Sequence, residues 1–378
     1  MKVWVIMGGM ASEREVSLDS GRAVAEALIE GGHEVLAYEL GEGRFVAEHS
    51  TPGFEVPDLK VSEALPGVLS ASPGGSPPEG AWALRLLAAA SSLRGQAEVA
   101  FLALHGDVGE NGTAQALLEA VRFPYTGSGP AASALAMDKA LSKRLMQALG
   151  VATPPWALIP VPPPGAEAPL SLLEETPVGG LPAVVKPNAE GSSVGITLVT
   201  EPRQWSAALA LAAAPQGDQG DRASEVIVEK YIPGCELTVA ILDRTVLPIV
   251  EIIPKTSFYD YQRKYGPGET EYRVPAPLPR EVERTLKDDA WRLYVALGCR
   301  GMARIDFRQA PQDEPQCLEL NTIPGLTTTS LVPKAARAAG ITFLELLERV
   351  CRVGMRPRDH YPARGAGRKA WEEAPGDS

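Results

Sequence analysis

Basic residues are in short supply in this chain. Lys and Arg number 36 against 47 Asp and Glu in 378 residues, a formal net charge of −11. A surface of that sign repels phosphate backbones and anionic lipid, so neither nucleic acid nor a membrane surface is the expected partner. A small anionic ligand stays open, because it needs only a local cationic pocket. Cysteine is sparse as well: Cys235, Cys299, Cys317 and Cys351 lie far apart and form no CxxC pair. That excludes a zinc ribbon and a dense disulfide framework, and it fits a reducing cytosol. No apolar run approaches the ~18 uncharged residues of a membrane span. The opening run at 3–7 is soon broken by Gly8-Gly9 and Glu13-Arg14-Glu15, which suits a buried first strand better than a signal peptide. The GxGxxG dinucleotide fingerprint fails at Gly8-Gly9, which leaves a nicotinamide oxidoreductase without its glycine signature. There is no internal repeat. The expectation is a soluble, cytoplasmic protein.

What is present is apolar sequence, 45% of the chain, enough for two or three domains with their own cores. A strand at 3–7, an Ala-rich helix over about 17–30 ending at Gly31-Gly32, and a strand at 35–38 give a β-α-β opening. Residues 41–80 are rich in Pro, Gly and Ser, and 70–80 reads as a mobile loop. A helix over about 81–94 and a strand at 99–104 complete a first α/β domain, 1–127. A helical stretch over 131–149 is stopped by Gly150 and the Pro-rich 153–164. Strands follow at 183–186 and 195–199, then a helix at about 203–214 and a polar loop at 216–223. Strands at 226–229 and 236–242 are joined by Ile232-Pro233-Gly234. These patterns divide the chain into a central domain at 128–229, a third at 230–355, and a tail, 356–378, with the composition of a disordered segment.

The strongest chemical signal is Arg304-Ile305-Asp306-Phe307 followed by Leu318-Glu319-Leu320-Asn321. Both alternate polar with apolar, the period of a strand. Folding them as a hairpin sets Asp306 opposite Glu319 and Arg304 opposite Asn321 on one face. Ile305, Phe307, Leu318 and Leu320 then share the other. Paired carboxylates repel unless a cation lies between them. Two acids and one amide suit Mg²⁺, which keeps waters and takes further ligands from phosphates. Arg304 beside them can stabilise developing negative charge. A half-exposed hairpin with a salt bridge would read the same way. In Lys186-Pro187-Asn188-Ala189-Glu190-Gly191-Ser192-Ser193-Val194-Gly195 a lysine ends an apolar strand, and glycines and hydroxyls follow. Such a loop can converge N–H and O–H donors on an anion, although it is not the GxxxxGK[ST] loop; an ordinary hairpin is the alternative. At Val228-Glu229-Lys230-Tyr231-Ile232-Pro233-Gly234, with Glu236 beyond, a strand edge could read a base and a carboxylate hold ribose; taken by itself the stretch fits a structural interdomain hairpin better. The loop 258–268 is dense in aromatics and charge with hinge-like glycines, as a lid would be, or a loop packed down as structure. Ser12-Glu13-Arg14-Glu15 and His105-Gly106 each follow a strand, where α/β sheets place ligands or caps.

Taken in order, these motifs resemble the D-alanine–D-alanine ligases of the ATP-grasp superfamily. The match runs from Gly8-Gly9 with Glu13, through His105-Gly106, Met137-Asp138-Lys139, Lys186 to Gly195 and the 258–265 loop. It closes with Arg304-Ile305-Asp306 and Glu319-Leu320-Asn321-Thr322-Ile323-Pro324-Gly325, spanning roughly 1–350. Departures are the Pro/Gly-rich stretches near 41–80 and 160–180 and the tail, all outside the motifs.

The resemblance implies an α/β and α+β chain with a three-domain ATP-grasp fold and an N-terminal Rossmann-like, preATP-grasp domain. It implies condensation of two D-alanines with ATP, through a D-alanyl phosphate, for peptidoglycan precursors. Two Mg²⁺ or Mn²⁺ ions would lie on Asp306, Glu319 and Asn321. Lys139 and Lys186 would hold the α- and β-phosphates, with Ser192 and Ser193 closing over them and Glu190 and Glu229 in the same ATP-binding set. Backbone near Lys230 and Ile232 would meet adenine, and Glu236 the ribose. Glu13 would bind the first D-alanine's ammonium near His105, while Ser330 and Leu331 would meet the second's carboxylate. Lys264 would reach the γ-phosphate, and Tyr265, bonded to Ser192 and Glu13, would latch the lid. Arg304 and the Gly325 N–H would stabilise the oxyanion. A homodimer is implied too. Depsipeptide-forming relatives commonly carry a histidine where Tyr265 stands, so D-lactate is the disfavoured acceptor. A regulator without catalysis would not be expected to keep Arg304, Asp306, Glu319, Asn321 and Lys264.

Overall fold

The first strand, β1 (Lys2–Met7), is apolar at every position after Lys2 and buried at each of them. A strand of this kind belongs inside a parallel sheet covered on both faces. β1 pairs in parallel with β2 (Glu34–Glu39) and β4 (Val99–Leu102), and the short β3 (Arg44–Phe45) runs antiparallel on the β2 edge. The structure is a computed structural model and describes residues 1–11, 13–52, 80–191, 195–214, 223–254 and 270–357. By internal contacts the chain forms two units. One comprises Met1–Ser133, Gly298–Met302 and the chain from Thr322 through the last helix; the other comprises Ala134–Leu297 and Ala303–Asn321. The first is α/β and the second α+β, the classes that the resemblance implies.

In the first unit the helix Arg14–Glu30 packs on β1 and β2, and the helix Phe343–Met355 packs on β4 and on that helix. The opposite face buries Trp4, Ile6, Leu36, Tyr38, Ala100 and Leu102 against Leu86, Ala89, Leu118 and Phe123. Trp4 meets Tyr38 and Phe123 edge-on, at centroid separations of 5.7 and 5.3 Å. Each fully buried large apolar side chain contributes roughly 1.5–3 kcal/mol to such a core.

The second unit holds two sheets. The smaller has the order β5 (Trp156–Pro160), β8 (Glu225–Lys230), β6 (Ala183–Lys186), β7 (Thr197–Val199), all antiparallel. Ala183, Val185, Val226 and Val228 pack under the helix Trp205–Ala212. The period of two therefore turns Lys186, Ile227 and Glu229 to the other face. The larger sheet has the order β12 (Thr270–Arg273), β11 (Val250–Pro254), β9 (Cys235–Leu242), β13 (Met302–Gln309), β14 (Gln316–Asn321), with β10 (Thr245–Val246) paired to β9. The helix Arg280–Leu297 packs on β9.

Three local expectations change. The stretch 131–149 is two helices, Pro130–Met137 and Lys139–Ala148, broken at Asp138. Asp138 adopts extended backbone, and its carboxylate accepts from Leu141 N at 2.9 Å, an N-cap that starts a new helix. The Pro-rich 153–164 includes β5, a strand that composition hides because its prolines lie at the ends. In the β13–β14 hairpin, Arg304 faces Asn321 and Asp306 faces Glu319 as expected, but the register shifts between Asp306 and Phe307. Phe307 pairs with Cys317, so Cys317 rather than Leu318 joins the buried face, and Leu318 is only half-buried. That shift is a β-bulge, an extra residue on one strand that restores the alternation one step later. No helix among the described residues is long and apolar enough to cross a membrane. Most of 41–80, the loop at 216–222 and the tail from 358 lie outside the described residues.

Candidate active-site residues in the two units

On the open face of the smaller sheet, Lys186 sits diagonally across from Glu229, since Lys186 pairs with Ile227 and Val184 with Glu229. Lys186 Nζ is 2.7 Å and Lys143 Nζ 3.0 Å from the same oxygen, Glu229 Oε1. All three are buried. Both ammonium groups approach by charge rather than in aligned hydrogen-bond geometry. Burial would raise the Glu229 carboxyl, but the two lysines together hold it below the usual range. Burial pushes the Lys143 ammonium down, and Glu229 offsets this only in part. Two cations on one anion leave a positive surplus, which favours a further anion beside them.

Lys139 opens the helix Lys139–Ala148 and is itself buried. Asn188 fixes that start: its carbonyl accepts from Lys139 N at 3.0 Å, and its side-chain oxygen from Ala140 N at 2.8 Å. Lys139 Nζ then donates to the Glu190 carbonyl at 2.5 Å and lies 3.7 Å from Glu319 Oε2. One ammonium thus stands between the loop after β6 and the acidic hairpin. Asp306 is gripped by Arg304, whose Nε and Nη2 lie 2.8–3.1 Å from its oxygens. It also accepts from Thr238 Oγ1 of β9 at 2.5 Å. The repulsion anticipated between Asp306 and Glu319 is relieved here by Arg304 on one acid and Lys139 near the other. Among the described residues no three His, Cys, Asp or Glu side chains form a group that could hold a metal ion by themselves; the donor set is two carboxylates with the amide of Asn321. Glu236 lies 3.5 Å from Arg308, which covers the Tyr231 ring at 5.2 Å. The backbone N–H groups of Lys230 and Tyr231 are taken by the Pro155 and Pro182 carbonyls.

In the first unit, the strand ends are stitched by Ser17, which accepts from Gly8 N at 2.8 Å and donates to the Ala103 carbonyl at 2.7 Å. Glu13, buried, packs against the turn after β4: a Cβ on Gly106 would fall 2.6 Å from Glu13 Oε2, and Gly106 has φ +68°. Only glycine meets both demands. His105 Nε2 is 3.1 Å from Ser20 Oγ, and Nδ1 is 3.4 Å from Glu110 Oε1. Ser20 Oγ also accepts from Leu326 N at 3.4 Å, which ties His105 to the Gly325 loop. Ser330 Oγ contacts Thr327 Oγ1 at 2.8 Å and would lie 3.2 Å from a Cβ on Gly325. Ser330 is the N-cap residue of the helix Leu331–Ala338, with its hydroxyl turned to Thr327. The first N–H groups of a helix lack intrahelical acceptors, so this end suits a carboxylate.

The first unit therefore brings Glu13, His105, Gly325, Ser330 and Leu331 into one linked region. The second gathers Lys139, Lys186, Glu190 and Glu229 with Arg304, Asp306, Glu319 and Asn321, and sets Lys230, Ile232 and Glu236 near the junction of β8 and β9. Ser192, Ser193, Lys264 and Tyr265 lie outside the described residues. Sequence reading missed Lys143, Thr238, Ser20 and Asn188. Lys143 carried a signal, since it follows Lys139 by four residues on the same helical face. The others act through tertiary contacts that no spacing reveals.

Comparison with known proteins gives a consistent result. The family model for the D-ala D-ala ligase N-terminus matches residues 2–128, and that for the D-ala D-ala ligase C-terminus matches 145–352. A D-alanine–D-alanine ligase of Syntrophotalea carbinolica is 40% identical over 350 residues, 92% of this chain and 94% of its own. One from Gloeobacter violaceus is 40% identical over 353 residues, covering 93% and 98%. A crystal structure of the Bacillus anthracis D-alanine–D-alanine ligase complexed with ATP is similar with a TM-score of 0.68 and 30% identity, covering 95% of this chain and 98% of that one.

Proposed function

This chain belongs to the D-alanine–D-alanine ligase family of ATP-grasp, ATP-dependent ligases, and from that premise we propose how its residues divide the reaction. Glu13 holds the ammonium of the first D-alanine, with His105 beside it. Ser330 and Leu331 take the carboxylate of the second. Lys139 and Lys186 hold the α- and β-phosphates of ATP, Glu229 keeps Lys186 in place, and Glu190, Ser192 and Ser193 form the loop over the nucleotide. The backbone around Lys230 and Ile232 meets adenine, and Glu236 meets ribose. Lys264 reaches the γ-phosphate, while Tyr265 latches the covering loop. Asp306, Glu319 and Asn321 offer the hard oxygen donors that would hold divalent ions. When bound, two Mg²⁺ or Mn²⁺ ions there would neutralise phosphate charge.

The chemistry follows from the weakness of a carboxylate as acyl donor. An oxygen of the first D-alanine attacks the γ-phosphorus, ADP leaves, and a D-alanyl phosphate results. The amine of the second D-alanine attacks the acyl carbon. Arg304 and the Gly325 N–H stabilise the oxyanion, phosphate departs, and the amine's proton is lost. Acyl phosphates hydrolyse, so a closing loop that excludes water serves the reaction. The proposal also places the protein in the cytoplasm as a homodimer, and divides the chain at 127/128 and 229/230. The closing of one sheet at Lys230 and the opening of the next at Cys235 support the second boundary.

The observation that carries the reading is Lys139 standing between the Glu190 carbonyl and Glu319, which joins a phosphate-type loop to paired acids. The test is an ADP-release assay across D-alanine, D-lactate, D-serine and L-amino acids, with product masses determined. D-alanine-dependent ADP and the D-alanyl-D-alanine mass are expected. A depsipeptide product, or ATP turnover indifferent to D-alanine, would overturn the assignment.

A further inference from the structure

Lys143 takes no part in the reaction above, yet its ammonium is entirely removed from water. Burying an ammonium is costly unless close partners offset it, and a Leu or Met would fill the same space without that cost. Its partners reach in two directions. One is Glu229, which also holds Lys186. The other is Thr153, whose hydroxyl accepts from Lys143 Nζ at 2.7 Å and donates to the Cys317 carbonyl at 2.8 Å. Next to it, Cys317 N donates back to the Ala152 carbonyl at 2.7 Å. Cys317 lies two residues before Glu319 on β14, while Lys186 and Glu229 belong to the other sheet of the same unit. A continuous polar chain therefore runs Lys186, Glu229, Lys143, Thr153, Cys317, and links the lysine-bearing sheet to the strand of paired acids.

We propose that Lys143 and Thr153 are positioning residues that fix the spacing between Lys186 and Glu319, and so set the affinity of the unit for ATP. The proposal rests on the nucleotide reading of Lys186. A packing role for Thr153 would be met by its isostere valine, whereas a relay needs the hydroxyl, which serine keeps.

The experiment compares Thr153→Val, Thr153→Ser, Lys143→Met and Lys186→Ala by calorimetric binding of a non-hydrolysable ATP analogue, by KM for ATP and for D-alanine, and by thermal unfolding. Thr153→Val is expected to weaken analogue binding and raise the KM for ATP about tenfold, equal to ~1.4 kcal/mol. KM for D-alanine should move less than about twofold, and Thr153→Ser should restore most of the loss. Lys143→Met should act in the same direction and more strongly; Thr153→Val decides the matter if that variant does not fold. Unchanged analogue affinity in Thr153→Val, or a loss shared by valine and serine alike, would overturn the relay while Lys186→Ala still weakens binding. Unchanged affinity in Lys186→Ala would instead remove the nucleotide reading and the relay with it.

Discussion

The two candidate regions, one in each unit, satisfy their polar side chains by different means. Around His105 the partners are mostly neutral: Ser20, the Leu326 N–H, Thr327 and Ser330, with Glu110 at the longer distance of 3.4 Å. Around Glu229 and Asp306 nearly every partner is charged. Neutral hydrogen bonds contribute about 1 kcal/mol each and cost little to bury, so they can shape a region for a small ligand while a single group such as Glu13 reads its charge. Buried ions leave no such freedom. Two lysines on one carboxylate bias that region toward an anion, even with burial drawing the Lys143 ammonium down.

That contrast can be broken from the charged side first. Glu229→Gln would leave Lys143 and Lys186 without their anion, and a loss of about 3–5 kcal/mol is expected in chemical or thermal unfolding. A variant as stable as the parent would show that the lysines find other partners. Glu319→Gln, half-exposed on β14, should leave the melting temperature nearly unchanged while ADP release falls about 100-fold, as when an ion's supporting group is removed. Near-normal turnover would refute its place among the metal ligands.

On the neutral side the effects should be smaller. Ser20→Ala removes the link from His105 to the Leu326 N–H, and a cost of about 0.5–1.5 kcal/mol is expected. KM for D-alanine should rise while KM for ATP holds, and the reverse pattern would count against the substrate reading of this region. The smallest effect belongs to a charged group elsewhere in the first unit, Glu348, whose carboxyl is held below the usual range by its hydrogen bond to His33 and by Arg352. A depressed carboxyl stabilises above the usual glutamate range and loses that contribution as pH falls through its own lower value. Glu348→Gln should therefore lower stability by a few tenths of a kcal/mol near neutral pH, with the gap closing in acid. A gap that widens in acid would reverse the sign.

Periodicity carried most of what could be read beforehand. Strict alternation in Arg304–Phe307 and Leu318–Asn321 made the facing of Asp306 and Glu319 legible, because side-chain direction in a strand depends only on parity. The break at Asp138 was less legible, since the residues on either side are good helix formers and only the cap geometry divides them. Glu229 was visible as a strand residue, but its partner Lys143 comes from a helix 86 positions earlier. Pairings of that kind are set by packing, and a single sequence holds no local trace of them.

The register shift after Asp306 has a consequence for tolerance to change. Leu318 is the added residue, so excising it would leave Asp306 facing Glu319 and Phe307 facing Cys317 in an unbroken ladder. Composition and pairing would survive; the bend and local twist that an inserted residue imposes would not. The two acids would then be aimed along a different line. A shortened hairpin could fold soundly and still be a poor catalyst, with every reactive group present and none well directed.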